Sequence, residues 1–541
     1  MFFNCKDFLS DLKLEFSGYN AGKLTKDLLA GLTVAAVALP LALAFGVSSG
    51  ADAASGLITA IIAGIVMSML AGAFYQVSGP TGAMAAILMS IIAQYQLQGV
   101  FFATLMAGVL LLLAGLLHLG KLTSCIPAPV ITGFTSGIAI IIALGQVDNF
   151  FGVTSKGSNA ISRLASYSNL GFSPNWLSIG IGLFVIVFMS LFPKKWNSVV
   201  PASLLSIIFA TVISALFHLD LGVVGEIPKT LLPQNRLILS SITWEQVNGL
   251  IGPAISIALL GMIESLLCGA SAGHMTGVKL KNDQELIAQG IGNIIVPFFG
   301  GIPATAAIAR TSVAIKSGAQ TRLTGVFHAV GLLISMFVLA PIMSKIPLSA
   351  LAGVLMVTAW RMNEWEAIQY IFSRKFKGAI LKFTITMIAT VLFNLTTAIV
   401  IGITTGLILL VVKCCAIEIA VEDVDYSRID SEPATDHKKW AIVYITGPMF
   451  FMTADTIKAK LDELADRDHI VLSLRGVPMA DITAVGVMMD YYKSATEQGK
   501  SVTFSSIQPA VMEIFTRAGL TDMAGKKSFY FSVDKALNEL L

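Results

Sequence analysis

Between Leu28 and Val412 the chain carries one apolar, helix-length run after another, and this succession excludes any fold that water surrounds. Hydrophobic residues make up 55% of the sequence and charged residues only 13%, a balance far from that of soluble domains. In hydrocarbon a backbone must satisfy its own polar groups, so runs lacking the two-residue alternation of a barrel must be helices. Runs begin near Leu28 and at about 56–74, 101–117, 127–144, 176–192, 201–217, 251–272 and 286–299, then at 323–343, 347–360, 380–395 and 396–412. With two short elements described next, about fourteen helical elements are expected, making a polytopic α-helical membrane protein.

The two short elements have an unusual composition. GGIPATAAIART, 300–311, and QVSGPTGAMAAI, 76–87, each place glycine and proline inside apolar sequence and follow them with small residues. Pro303 suits a first helical turn, where its missing N–H goes unbonded in any residue. The spacing therefore predicts helices that start late, inside the bilayer, with Thr81, Gly82 and Ala83 at one end and Thr305, Ala306, Ala307 and Ile308 at the other. Uncovered amides at a helix N-terminus attract an anion. Close helix packing through small residues is the competing explanation.

An internal repeat links these stretches. Placing Pro80 on Pro303 superposes SGPTGAMAA on GIPATAAIA at an offset of 223 (303 − 80), and placing CIPAPVITG on KIPLSALAG gives 220 (347 − 127). Two similar offsets indicate one duplication. With about seven spans per half, an odd number, the second half enters the membrane inverted, and the two short helices approach the midplane from opposite sides.

Charge placement agrees with this topology. Counting spans from a cytoplasmic N-terminus puts Lys121, Lys194, Lys195, Lys279, Lys281, Lys316, Arg322, Arg374, Lys375 and Lys377 on the cytoplasmic side. Residues 1–27 are polar and lysine-bearing and show no signal-peptide core, so this segment is expected in the cytoplasm of a cell whose inner membrane holds the spans 28–413. The five cysteines, Cys125 among them, and the six histidines, His437 among them, have no metal, disulfide or catalytic spacing. No basic tract points to nucleic acid. No cofactor or metal is expected, and the chain is not read as an enzyme.

Two charged residues fall inside the apolar segments. Glu264, in IESLLC, is costly in a bilayer, by about 2.5–3.5 kcal/mol on insertion scales, and must face a cavity or a partner. It has the chemistry of a proton carrier or of a ligand for a coupling cation, with a structural ion pair or hydrogen bond between helices as the competing explanation. Arg310, seven positions after Pro303, lies about two turns into the predicted short helix. It either raises the potential near a bound anion or pairs with Glu264.

After a polar, acidic linker at 414–439, residues 440–541 alternate apolar strands with helical patterns: AIVYITGPMFF, HIVLSLRGVPMAD, SVTFSSI, PAVMEIFTRAGL, SFYFSV and DKALNEL. This predicts a small α/β module on the cytoplasmic side.

LPLALAFG, VSGPTGAM, GFTSG, IESLLC, GNIIVPFFGGIPATAAIAR and the α/β module, taken in this order, resemble the SulP (sulfate permease) family of anion transporters over almost the whole chain. The resemblance implies two inverted seven-helix repeats divided into core and gate domains, with the substrate between the third and tenth helices. A cytoplasmic STAS domain and a homodimer are implied too, and the STAS domain is a place where a cytoplasmic partner could bind. The run from IESLLC to IAR is most similar to proton-coupled dicarboxylate members, with sulfate and bicarbonate members close behind. The implied function is secondary active transport of small anions (C4-dicarboxylate, sulfate or bicarbonate) by proton symport and alternating access, with Glu264 as the proton-coupling group. Proton-independent exchange or a passive channel is the alternative. Cys268, one turn after Glu264, stands where sodium-coupled members carry a hydroxyl. Arg310 stands in a helix where nucleobase transporters carry an acid. ADITAVGV resembles a phosphorylatable loop in which Ile482 and Thr483 replace the usual serines, so a plain helix start is expected there, with modification of Thr483 as the alternative.

Overall fold

The computed structural model describes residues 5–121, 126–157, 160–193, 201–241, 244–393, 395–424 and 439–540. Cys125, Lys194, Lys195 and His437 lie outside the described residues. The chain divides into two compact units, 1–404 and 405–541.

The first unit opens with a short helix, α1 (Cys5–Glu15), and continues through α2 (Ala21–Ser48) and α3 (Ala53–Leu70) to a two-residue strand, β1 (Ser78–Gly79), and α4 (Gly82–Leu116). Gln96, at φ 58° and ψ −172°, breaks α4 into two arms, the first starting in the short element expected at 76–87 and the second covering the run expected at 101–117. Then follow α5 (Ala128–Gly145), the short α6 (Val147–Phe151) and α7 (Ala160–Leu170), α8 (Trp176–Leu191) and α9 (Ala202–Leu216). The second half comprises α10 (Trp244–Thr276), α11 (Asn282–Ile295), a second short strand β2 (Thr305–Ala306), and α12 (Ile308–Lys316). It ends with α13 (Leu323–Met343), α14 (Leu348–Met362), α15 (Trp365–Ser373), α16 (Lys377–Leu392) and α17 (Leu395–Cys414), the last running into the second unit. With α4 counted as two arms, and α1, α6, α7 and α15 set aside as short, these helices are the expected set.

The helices pack in two groups. One joins α2, α3, α4, α10, α11, α12 and α13; the other joins α5, α8, α9, α14 and α16. Small residues let backbones approach within each group, as where Gly290 of α11 lies against Leu112 of α4. The repeat is visible in detail at one proline pair. Pro127 and Pro347 are both N-caps, at φ −62°, ψ 136° and φ −65°, ψ 134°, starting α5 and α14 as the offset of 220 requires.

Polar residues lock one end of the first group. Buried Asp27 accepts from the amides of Gln320 and Thr321 at 2.6 and 3.0 Å and from the hydroxyls of Thr321 and Thr324 at 2.6 and 2.9 Å, which caps the approach to α13. Arg322 forms a two-pronged pair with Glu15, Nη2 to Oε2 at 2.8 Å and Nε to Oε1 at 3.1 Å, and its Nη1 donates to Met69 O at 2.9 Å. α1 is thereby tied to the starts of α13 and the end of α3.

The second unit is a five-stranded sheet in the order β3-β4-β5-β6-β7, with helices between the strands. β3 (Glu418–Glu422) pairs antiparallel with β4 (Trp440–Thr446), while β5 (His469–Gly476), β6 (Ser501–Ser505) and β7 (Phe529–Tyr530) add in parallel. The sheet therefore begins inside the stretch expected as a linker: β3 is its edge strand. α18 (Ala454–Asp462), α19 (Ile482–Glu497), α20 (Pro509–Ala518), α21 (Leu520–Ala524) and α22 (Val533–Leu540) complete the α/β module. Asp481 caps α19 by accepting from the Ala484 amide at 2.9 Å, so Ile482 and Thr483 occupy an ordinary helix start.

Candidate functional site

The two interrupted stretches meet in the first unit. β1 and β2 pair antiparallel, Ser78 opposite Ala306 and Gly79 opposite Thr305, so α4 and α12 leave the pair in opposite directions. Opposed running is what an inverted repeat demands.

The second stretch is more extended than its composition predicts. α12 starts at Ile308, not at Pro303, and Thr305 and Ala306 are strand. The reason is a series of side chains that satisfy alternate residues before any helical turn forms. Ile302 N donates to Thr59 Oγ1 at 2.7 Å, and Thr59 Oγ1 donates back to Ile302 O at 3.0 Å. Ala304 N donates to Asn293 Oδ1 at 2.8 Å, and Asn293 Nδ2 donates to Ala304 O at 2.9 Å. Ala306 N donates to Ser265 Oγ at 3.2 Å, and Ala307 N to Val77 O at 3.1 Å. The amides of Ala306 and Ala307 are thus taken, contrary to the sequence expectation. The open helix end begins at Ile308, because Ala307 caps α12 without a side-chain hydrogen bond.

At the other end Thr81 caps α4, its hydroxyl accepting from Met84 N at 3.4 Å, with Gly82 and Ala83 in the first turn. Gly82 is needed for packing: a methyl there would lie 2.3 Å from Ile142 Cδ1 of α5 and 3.1 Å from Phe45 Cε1 of α2. Apolar side chains of both helix groups therefore close directly over this helix end.

α10 reaches both stretches. The half-buried Glu264 accepts from the Thr81 hydroxyl at 2.8 Å through Oε2. Next to it, Ser265 Oγ lies 3.1 Å from Thr305 Oγ1, and its carbonyl accepts from Gln76 Nε2 at 3.0 Å. One turn on, Cys268 Sγ donates to Thr311 Oγ1 at 3.3 Å, and that same oxygen accepts from Val77 N at 3.2 Å. The three positions form one face of α10 that binds the β1 and β2 segments together.

Arg310 is the third residue of α12, in its first turn and not its second, because the helix starts five residues later than expected. It is 1% exposed. Its Nη2 donates to Pro80 O at 3.0 Å, while Nε and Nη1 have no hydrogen-bond partner among the described residues. No ion pair with Glu264 occurs among the described residues. Of the two readings open for Arg310, the geometry retains a positive charge beside the helix ends.

Sequence reasoning missed Thr59, Ser265 and a polar column on α11, Glu285, Gln289 and Asn293, all fully buried. Their spacing of four residues within an apolar run was the available signal, since it puts all three on one helix face. Among the described residues no group of three or more His, Cys, Asp or Glu could hold a metal ion.

Comparison with known proteins agrees with this architecture. Residues 24–389 match the sulfate permease family and residues 432–536 match the STAS domain. YvdB of Bacillus subtilis (strain 168), which carries a sulfate-transporter name, is 35% identical over 95% of this chain and 97% of its own. The bicarbonate transporter BicA of Picosynechococcus sp. is 29% identical over 88% of this chain and 87% of its own. The murine anion transporter Slc26a9, in its inward-facing state, superposes with a TM-score of 0.84 over 97% of this chain and 93% of that one; at 16% identity the likeness concerns the fold. By the family match and the coverage of its relatives, the chain belongs to the sulfate permease family, a membrane transporter with a STAS domain.

Proposed function

We propose that this protein is a secondary active transporter of small anions, a C4-dicarboxylate, sulfate or bicarbonate, that couples uptake to protons by alternating access. The observation that carries the reading is the Thr81 hydroxyl, which caps α4 and at the same time donates to Glu264. An ionised Glu264 places its own negative charge at the positive end of α4 and competes with an anion for it. Protonation removes that competition. Proton and anion then favour each other's binding, and the coupling is reciprocal.

In this reading the anion sits between the first-turn amides of α4 (Gly82, Ala83) and α12 (from Ile308), with Arg310 supplying fixed positive charge. Thr81, Thr305, Ala306 and Ala307 hold the two ends in place. Exchange of access to the two sides follows from movement of the two helix groups past one another, at the apolar contact of Ile142 with Gly82. The membrane is the cell's inner membrane, the STAS domain is cytoplasmic, and the protein works as a homodimer.

The test is uptake of labelled anion into liposomes with and without an inward proton gradient. The gradient is expected to drive accumulation, and Glu264→Gln to abolish the drive while leaving downhill uptake. Accumulation by Glu264→Gln at the parent level would remove Glu264 from coupling. A requirement for anion on the opposite side, with indifference to pH, would replace symport by exchange.

A further inference from the structure

α11 carries Glu285, Gln289 and Asn293 in a buried row, each one turn and about 6 Å beyond the last. Each grips a different point of the non-helical segments, Glu285 and Asn293 at backbone and Gln289 at a side-chain hydroxyl. Glu285 Oε2 accepts from Gly72 N at 3.0 Å in the turn after α3. Gln289 Nε2 donates to Ser78 Oγ on β1 at 2.8 Å and to Glu285 Oε1, also at 2.8 Å. Asn293 holds Ala304, just before β2, through both its amide N–H and its carbonyl.

The β1:β2 ladder is only two residue pairs long. A ladder that short does not determine its own register, and a slip of one residue would move the start of α12 by about 3.3 Å relative to α4. Gln289 fixes β1, and one turn later Asn293 fixes the approach to β2. A rigid helix thus determines the separation of the two helix ends.

We propose that Gln289 and Asn293 are positioning residues that set the gap between the α4 and α12 ends and so select the anion by size. The inference rests on the reading of those ends as the anion site. Glu285 belongs to the same row as an anchor: each of its carboxylate oxygens accepts from a separate N–H, which keeps Gln289 oriented toward Ser78.

The bond between Gln289 and Ser78 gives the test, because Asn293→Ala strips two partners from buried backbone and risks unfolding. The full-length protein is reconstituted as the parent, Gln289→Ala, Ser78→Ala and the double variant. Unlabelled sulfate, bicarbonate and succinate compete against whichever of the three, labelled, the parent accumulates. Both single variants are expected to change the succinate-to-sulfate ratio of inhibition constants in the same direction by about fivefold, the worth of one net hydrogen bond, and the double variant to go no further. Maximal rate should change less than the ratio. A uniform loss for all three anions, additivity in the double variant, or a shift with Gln289→Ala alone would each overturn the positioning role. Absence of uptake of every anion by the parent would instead refute the transport reading itself, and this inference with it.

Discussion

Gly79→Ala tests how closely Arg310 is fitted to β1. A methyl at residue 79 would lie 1.9 Å from Arg310 Nη1 and 3.0 Å from its Cζ. Ordinary contact begins near 3.4 Å, so the guanidinium must retreat by about 1.5 Å (3.4 − 1.9). That retreat breaks the 3.0 Å bond from Nη2 to Pro80 O. The backbone at Gly79 is not in the left-handed region, so the cost comes from contact and not from torsion. Overpacking costs about 1–3 kcal/mol and the lost bond from a charged donor about 1.5–3 kcal/mol, giving about 2.5–6 kcal/mol together. Denaturant unfolding of the purified protein in detergent measures it, with Gly79→Ala made in the parent and in an Arg310→Ala background. Without the guanidinium the nearest remaining neighbour is Ala60 Cα at 3.5 Å, an ordinary contact, and the penalty should fall below about 1 kcal/mol. An equal penalty in both backgrounds would refute the fit.

Thr81→Val removes both the α4 cap and the bond to Glu264 and is expected to cost about 1–3 kcal/mol, with Thr81→Ser recovering most of it in the same unfolding assay. Glu15→Ala leaves Arg322, whose side chain is 4% exposed, without its carboxylate and should cost about 3–5 kcal/mol. Its local signature is release of α1, read as faster proteolysis near the N-terminus, and unchanged protection would count against the latch. In the sheet module the Lys439 ammonium, 2.8 Å away, holds the Asp468 carboxyl below the usual aspartate range. A depressed carboxyl contributes stability above its unfolded pKa and loses it as pH falls through the folded one, so Lys439→Met should make unfolding of this module less sensitive to acid below about pH 4.

The sequence made the membrane helices, the inversion and the α/β module legible, because apolar length and period leave few alternatives in a bilayer. Glu264 was legible for the same reason: a lone carboxylate in an apolar run must have a partner. What composition could not reveal was the state of residues 300–307. Glycine, proline and small residues suit a helix start and an extended segment equally, and the choice is made by side chains distant in sequence, Thr59, Ser265 and Asn293. The edge strand Glu418–Glu422 was hidden similarly, since three apolar residues between two glutamates, at the head of an acidic stretch, read as a solvated linker until β4 pairs with it.

The proline superposition of the two interrupted stretches turns out to be informative where it fails. Pro127 and Pro347 occupy one structural position, but Pro80 and Pro303 do not: β1 precedes its proline, whereas β2 follows. Aligned by helix start, Gly82 and Ile308 give an offset of 226 (308 − 82), three residues more than the prolines give. Those three residues are accommodated by the extra extended length that Asn293 and Ser265 hold. The duplication therefore no longer yields two equal half-sites. The α4 end has a hydroxyl cap tied to a carboxylate that can take up a proton; the α12 end has no side-chain cap and a buried guanidinium. On the reading proposed above, an anion held between them would meet a charge that varies with protonation on one side and a fixed charge on the other. Loss of Glu264 should then abolish coupling while binding persists, and loss of Arg310 should weaken binding at every pH.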